Sequence, residues 1–132
     1  MKKIESKGKV YAIYDHMWNP KNEVVWYGED KDYIQVAKMG YDIDREFKTH
    51  RHIFRPRTIP HTQEVMVVVS GCLEATIYDE NKNLLGKCLL YNGSIIVLYS
   101  GYHGYRTMCD NTVFYEIKHG DFVGVEKDKE LL

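Results

Sequence analysis

Residues 49–64 read THRHIFRPRTIPHTQE and hold three histidines, three arginines and one glutamate. Imidazole nitrogen and carboxylate oxygen together suit a divalent transition metal, and iron, manganese, nickel, copper and zinc all accept such donors. A solvated, charged loop is the bland counterpart. If the stretch is part of a site, a further donor must come from elsewhere, and His103 in GYHGYRT is the candidate. Alternate side chains of a strand share a face. His50 and His52 are then co-facial. Glu64 shares its face with Met66 and Val68, while Val65, Val67 and Val69 point the other way. If Val68 lines the interior, Glu64 lies there too, and a buried carboxylate needs a cation or a donor.

His61 stands three residues before Glu64 and has the opposite parity, so it ranks behind the other histidines, although Pro60 can interrupt a strand there. Tyr105 shares a face with His103 and is placed to donate a proton or to orient a substrate. Tyr115 can do the same if it faces inward, or it packs as a core tyrosine. Arg55 and Arg57 flank Pro56; they either fork onto a carboxylate or phosphate of a substrate or lie in a solvated loop.

The elements that must hold these side chains are strands. DYIQVAKMGY alternates, with Ile34 and Val36 on one face and Tyr33, Gln35, Ala37 and Met39 on the other. EVMVVVSG is an apolar run that stops at Gly71. CLEATIYDENKN alternates and breaks at a turn, and SIIVLYSG and NTVFYEIKHG repeat the form. Short β-branched or aromatic runs ended by glycine argue for an all-β barrel or sandwich. Its interior is expected to include Val68, Ile77 and Ile96. The first thirty residues predict an edge strand and a loop, and the charged tail after Gly124 predicts a solvated end.

A chain of 132 residues is expected to form one domain, and a hydrophobic fraction of 44% supports a real core. Eighteen basic and nineteen acidic side chains leave a net charge of −1. No global field then recruits nucleic acid or an anionic membrane, and a small molecule is the expected ligand. No run reaches the roughly 18 apolar residues of a membrane helix. The N-terminal lysines precede no long apolar stretch, which argues against a secretory signal and for a cytoplasmic protein. Cys72, Cys88 and Cys109 have no CxxC spacing and read as packed thiols. Strands rich in Tyr and Val leave edges that a second copy would cover, so a homodimer is expected.

These motifs resemble those of the cupin superfamily. HRH at His50 and His52, then Glu64 with six residues before Gly71, is similar to the first cupin motif. GSIIVLYSGYHG, from Gly93 to His103, is similar to the second. The resemblance covers about residues 33–118. It implies a double-stranded β-helix, or jelly-roll, barrel with one divalent transition metal (Fe, Mn, Ni, Cu or Zn) held by His50, His52, Glu64 and His103. It departs from the family at two points. Eleven residues separate His52 from Glu64, which leaves open whether His61 replaces one of the pair, and Tyr99 stands where the second motif usually has proline. The ending YEIKHGDFVGVEKDK also resembles small cupins associated with bacterial surface-sugar biosynthesis. What the resemblance implies is a metal-dependent enzyme acting on a polar, sugar-like molecule, with Tyr105 catalytic and Arg55, Arg57, Tyr115 and His61 contacting substrate. A non-catalytic ligand-binding or sensor cupin is one alternative. A metal-free sugar epimerase with a His base and a Tyr acid is another.

Overall fold

The computed structural model of the chain describes residues 1–16, 19–121 and 123–132. It is all-β apart from one helical turn. The strands are β1 (Lys2–Ser6), β2 (Lys9–Asp15), β3 (Glu23–Tyr27), β4 (Val36–Gly40), β5 (Glu64–Ser70), β6 (Cys72–Tyr78), β7 (Leu84–Tyr91), β8 (Ile95–Leu98), β9 (Tyr102–Thr107) and β10 (Val113–Lys118). The helical turn, α1, spans Val125–Asp128. The strands form a five-stranded sheet in the order β1-β2-β8-β5-β10, a three-stranded sheet β7-β6-β9, and the hairpin β3-β4. Every pairing is antiparallel. The sheets do not close into a barrel. β9 ends the three-stranded sheet and β10 ends the five-stranded one.

Alternation along the strands sorts the apolar side chains into two cores. Met66 and Val68 of β5 meet Ala12, Ile96 and Leu98 of the same sheet and Leu73, Ala75, Ile77, Cys88 and Leu90 of the three-stranded sheet. Val65, of opposite parity, packs with Ile13, Tyr27, Val97 and Tyr99, with Val36 of the β3-β4 hairpin against them. The five-stranded sheet is thus covered on both faces. Val68, Ile77 and Ile96 are interior, as the alternation predicts, with exposures of 1% or less. Gly71 reverses the chain between β5 and β6 at φ 78°, and a Cβ there would collide with Thr112. Ile77 sits at the middle of the first core, opposite His103 in the β6-β9 ladder. Ile77→Ala is expected to lower unfolding free energy by about 2–5 kcal/mol in urea titrations, through lost apolar contact and the cavity left behind.

Three expectations change. The N-terminal residues are no mere edge: β2 lies inside the main sheet beside β8, with Ala12 and Ile13 buried. The reach of the core therefore begins well before residue 33. The THRH stretch is no strand at all. No strand or helix lies between Gly40 and Glu64, and residues 42–62 are exposed. Four charged or histidine side chains among the five residues 48–52 leave little to bury there, and Pro56 and Pro60 each remove a backbone donor. The parity argument for His50 and His52 consequently has no strand to act on. The C-terminal tail is not simply solvated either, as the site shows. Among the described residues no helix is long and apolar enough to cross a membrane.

Candidate functional site

Glu64 opens β5 on the inward parity of Met66 and Val68, and β9 presents His103 from the opposing sheet. The two side chains meet across the core, with His103 Nε2 2.9 Å from Glu64 Oε2. Glu64 is only 7% exposed, so its charge needs this partner. With Nε2–H donated to the carboxylate, a neutral His103 keeps Nδ1 as a proton acceptor. Hydrogen bonding to His103 holds the Glu64 carboxyl below the usual carboxylate range against the opposing effect of burial; the charge His103 carries once protonated, and those of Lys129 and Lys118, act the same way.

Tyr105 lies two residues beyond His103 on the same face, with ring centroids 5.4 Å apart. Its hydroxyl is buried and has no hydrogen-bond partner among the described residues. Burial first, and then the negative charge of Glu64, push its pKa far above that of an ordinary phenol. The phenol therefore stays protonated at any physiological pH. An unsatisfied buried hydroxyl is costly, and a ligand acceptor would relieve it.

The three residues line a cavity of about 990 Å³ whose wall also includes His61, Thr76, Tyr78 and Arg106. The far wall is the C-terminal tail, from Asp128 to Leu132. Lys118 Nζ holds Asp128 Oδ2 at 3.1 Å with both side chains largely covered, and Lys82 Nζ reaches the Leu131 carbonyl oxygen at 3.5 Å. Sequence reasoning missed this wall. Its alternating charges read as a solvated end, and the apolar pair Leu131–Leu132 is the one sequence signal against that.

The other expected residues lie in different places. His61 reaches the cavity, and its Nε2–H donates to the Tyr99 carbonyl oxygen at 3.1 Å. His50 and His52 stand on the exposed 41–63 segment with ring centroids 5.6 Å apart, and His50 Nδ1–H donates to the Lys48 carbonyl oxygen at 2.8 Å. Neither lines the cavity. Arg55 and Arg57 are exposed on the same segment and do not line it. Tyr115 is 65% exposed on β10, where its neighbour Glu116 faces the cavity instead. Glu64 and His103 thus offer two of the four donors expected for a metal. Among the described residues, no group of three or more His, Cys, Asp or Glu side chains is gathered to hold a metal ion. In this arrangement the set does not fit the expected metal.

The Glu64–His103 pair has a signature in pH. A carboxyl whose folded pKa is depressed adds stability that is present above its unfolded pKa and lost as pH falls through the folded value. Melting temperatures are therefore expected to drop steeply below about pH 4, with a shallower acid limb in Glu64→Gln. An identical limb in both proteins would mean that the pair contributes nothing to stability. Compared with protein-family models, with curated proteins and with solved structures, the chain matches none.

Proposed function

We propose that the chain is a cupin-like domain in which Glu64, His103 and Tyr105 move protons on a small polar, sugar-like molecule. The observation that carries this reading is the 2.9 Å bond between His103 and the buried Glu64, beside a buried phenol with no partner among the described residues. His103 Nδ1 takes a proton from a carbon next to a carbonyl, and Glu64 stabilises the imidazolium that forms. Tyr105 donates a hydrogen bond to the oxygen where negative charge develops. Delivery of the proton to the former carbonyl carbon, as the neighbouring hydroxyl proton passes to the enolate oxygen, completes an isomerisation, and protonation of the first carbon on its opposite face by solvent completes an epimerisation. The cavity, about 990 Å³, suits a sugar-sized or larger ligand.

The test is proton exchange with solvent. Protein in D2O is incubated with keto-sugars, free, phosphorylated and nucleotide-linked, and deuterium at carbon is followed by NMR. Incorporation supports the reading. Binding of such a molecule without incorporation would sink the catalytic part and favour a ligand-binding or sensor domain.

One observation favours a second reading, a divalent metal at the same place. β9 ends its sheet, β10 ends the other, and the 41–63 segment between β4 and β5 carries no strand. Addition of Thr49–Phe54 to the open edge of β9 would bring His50 and His52 beside His103 and Glu64. Addition of the preceding residues to β10 would close the two sheets into a jelly roll. The exposure of Ile43, Ile53 and Phe54, near 90% each, supports a more covered arrangement of this segment.

A further inference from the structure

A second cavity, of about 530 Å³, lies on the other face of the five-stranded sheet, between the β1-β2 hairpin, β3 and residues 28–33. Ile13 and Tyr99, both of the outer core, form its floor. Tyr99 is 5% exposed, and its hydroxyl has no hydrogen-bond partner among the described residues. The neighbouring Ser100 hydroxyl, also on the wall, is buried without a partner as well. Gln63, 3% exposed, accepts the Ile34 N–H through Oε1 at 2.8 Å, so what it offers a ligand is its amide NH2. Three residues that carry a donor, Tyr99, Ser100 and Gln63, therefore line one space. Buried polar groups are nearly always satisfied in folded proteins, so this set calls for an acceptor-rich guest.

The rim defines the guest further. Trp26 is 55% exposed and Tyr33 42%, and both line the cavity, with the Tyr33 ring also 5.4 Å from His61 in a T-shaped contact, so two aromatic side chains are available to a planar ring. Three lysines line it too. Lys9 is paired with Glu80, and Lys31 with Glu29 at 2.8 Å. Among the described residues Lys3 is in no ion pair, its charge acting on Glu29 only at longer range, and it is the cation left for a ligand. The opposing carboxylates are also engaged: Glu29 by Lys31, and Asp32 by the Glu29 N–H at 2.7 Å. We infer that this cavity binds a planar anionic small molecule, a nucleoside phosphate or an aromatic carboxylate, with its ring against Trp26 and Tyr33 and its anion at Lys3. The volume lies within the range of small-molecule sites. Stacking on an aromatic side chain tolerates many rings, so the donors and the lysine set the charge preference rather than a single ligand identity. This site shares only His61 with the Glu64–His103 cavity and does not depend on the chemistry proposed there.

The experiment is calorimetric titration of the full chain with AMP and, separately, with 4-hydroxybenzoate. Adenosine and inorganic phosphate serve as the two halves of the first probe. Sub-millimolar binding of AMP marks a nucleotide site, and binding of 4-hydroxybenzoate alone marks an aromatic-carboxylate site. In the first case adenosine and phosphate are each expected to bind at least about tenfold more weakly than AMP or not at all. Trp26→Ala and Lys3→Ala, both at exposed positions that the fold tolerates, are each expected to weaken binding about tenfold. Tyr99→Phe keeps the ring in the outer core and removes only the hydroxyl; it is expected to weaken binding several-fold. Absence of binding by both probes overturns the inference, as does affinity unchanged in Trp26→Ala and Lys3→Ala. Binding abolished by His103→Ala would place the ligand in the other cavity and overturn it too.

Discussion

His103→Ala is expected to slow solvent-deuterium exchange into a substrate by about 10²–10⁴-fold. The reason is specific to its position. The imidazole is the one group in the cavity whose tautomer is set by a buried carboxylate, with Nε2 held to Glu64 Oε2 at 2.9 Å. Without it, the cavity holds, among the described residues, no other imidazole oriented by a buried carboxylate to accept the proton. Glu64→Gln tests the same chemistry from the other side. It preserves the shape of the side chain and removes the charge that stabilises the imidazolium. Its exchange rate is expected to fall toward that of His103→Ala, with a shifted pH profile for whatever activity remains. Tyr105→Phe removes only the hydroxyl and leaves the ring on Phe114, 6.3 Å away between centroids. A loss of about 10–100-fold is expected there, because a neighbouring donor or water partly replaces it. Circular dichroism of each variant separates a lost base from a lost fold. Wild-type exchange in folded His103→Ala would end the assignment of the base.

Metal content gives the second large effect, and it decides between the two readings of the site. If the 41–63 segment pairs with β9, proteins purified side by side should differ sharply. His52→Ala and His103→Ala are each expected to lose at least about 10–100-fold in metal affinity, since ligand loss exceeds the effect of losing a supporting hydrogen bond. His61→Ala should lose far less, because its Nε2–H is committed to the Tyr99 carbonyl oxygen at 3.1 Å. Metal analysis by inductively coupled plasma mass spectrometry reads all three at once. Equal occupancy in His52→Ala and native protein, or loss confined to His61→Ala, would show that the HxH pair is not part of the site. In that case the acid–base reading stands by itself.

Local pattern in the chain was sufficient to identify β4, β5, β6, β8 and β10 and the inward parity of Glu64, but it passed over β7. The side-chain period of a strand is two, so placing Val68 inside also placed Met66 and Glu64 there. The same rule put Tyr105 beside His103, since both belong to one short strand ended by a turn. Those statements need no knowledge of what packs where. The partner of Glu64 was a different matter. That His103 is its partner depends on β5 and β9 facing one another from separate sheets, 39 positions apart in sequence, and no local signal encodes that distance.

Tertiary structure also decided what the ends of the chain do. β2 enters the main sheet because Ala12 and Ile13 fill opposite faces beside β8, yet KVYAIYD reads no differently from an edge strand. The charged tail becomes a cavity wall through one covered ion pair, Lys118–Asp128, which charge alternation alone cannot reveal. In the stretch THRHIFRPRTIPHTQE, alternation gave a face to His50 and His52 only on the premise of a strand. Strand pairing is not a property of a segment by itself: backbone donors and acceptors need a neighbour, and the neighbour is supplied by the whole fold. The sequence by itself thus determined which residue types are present for proton or metal chemistry and which way those within strands point. Only the packing of the two sheets decided that Glu64, His103 and Tyr105 share one cavity while His50, His52, Arg55, Arg57 and Tyr115 stand outside it.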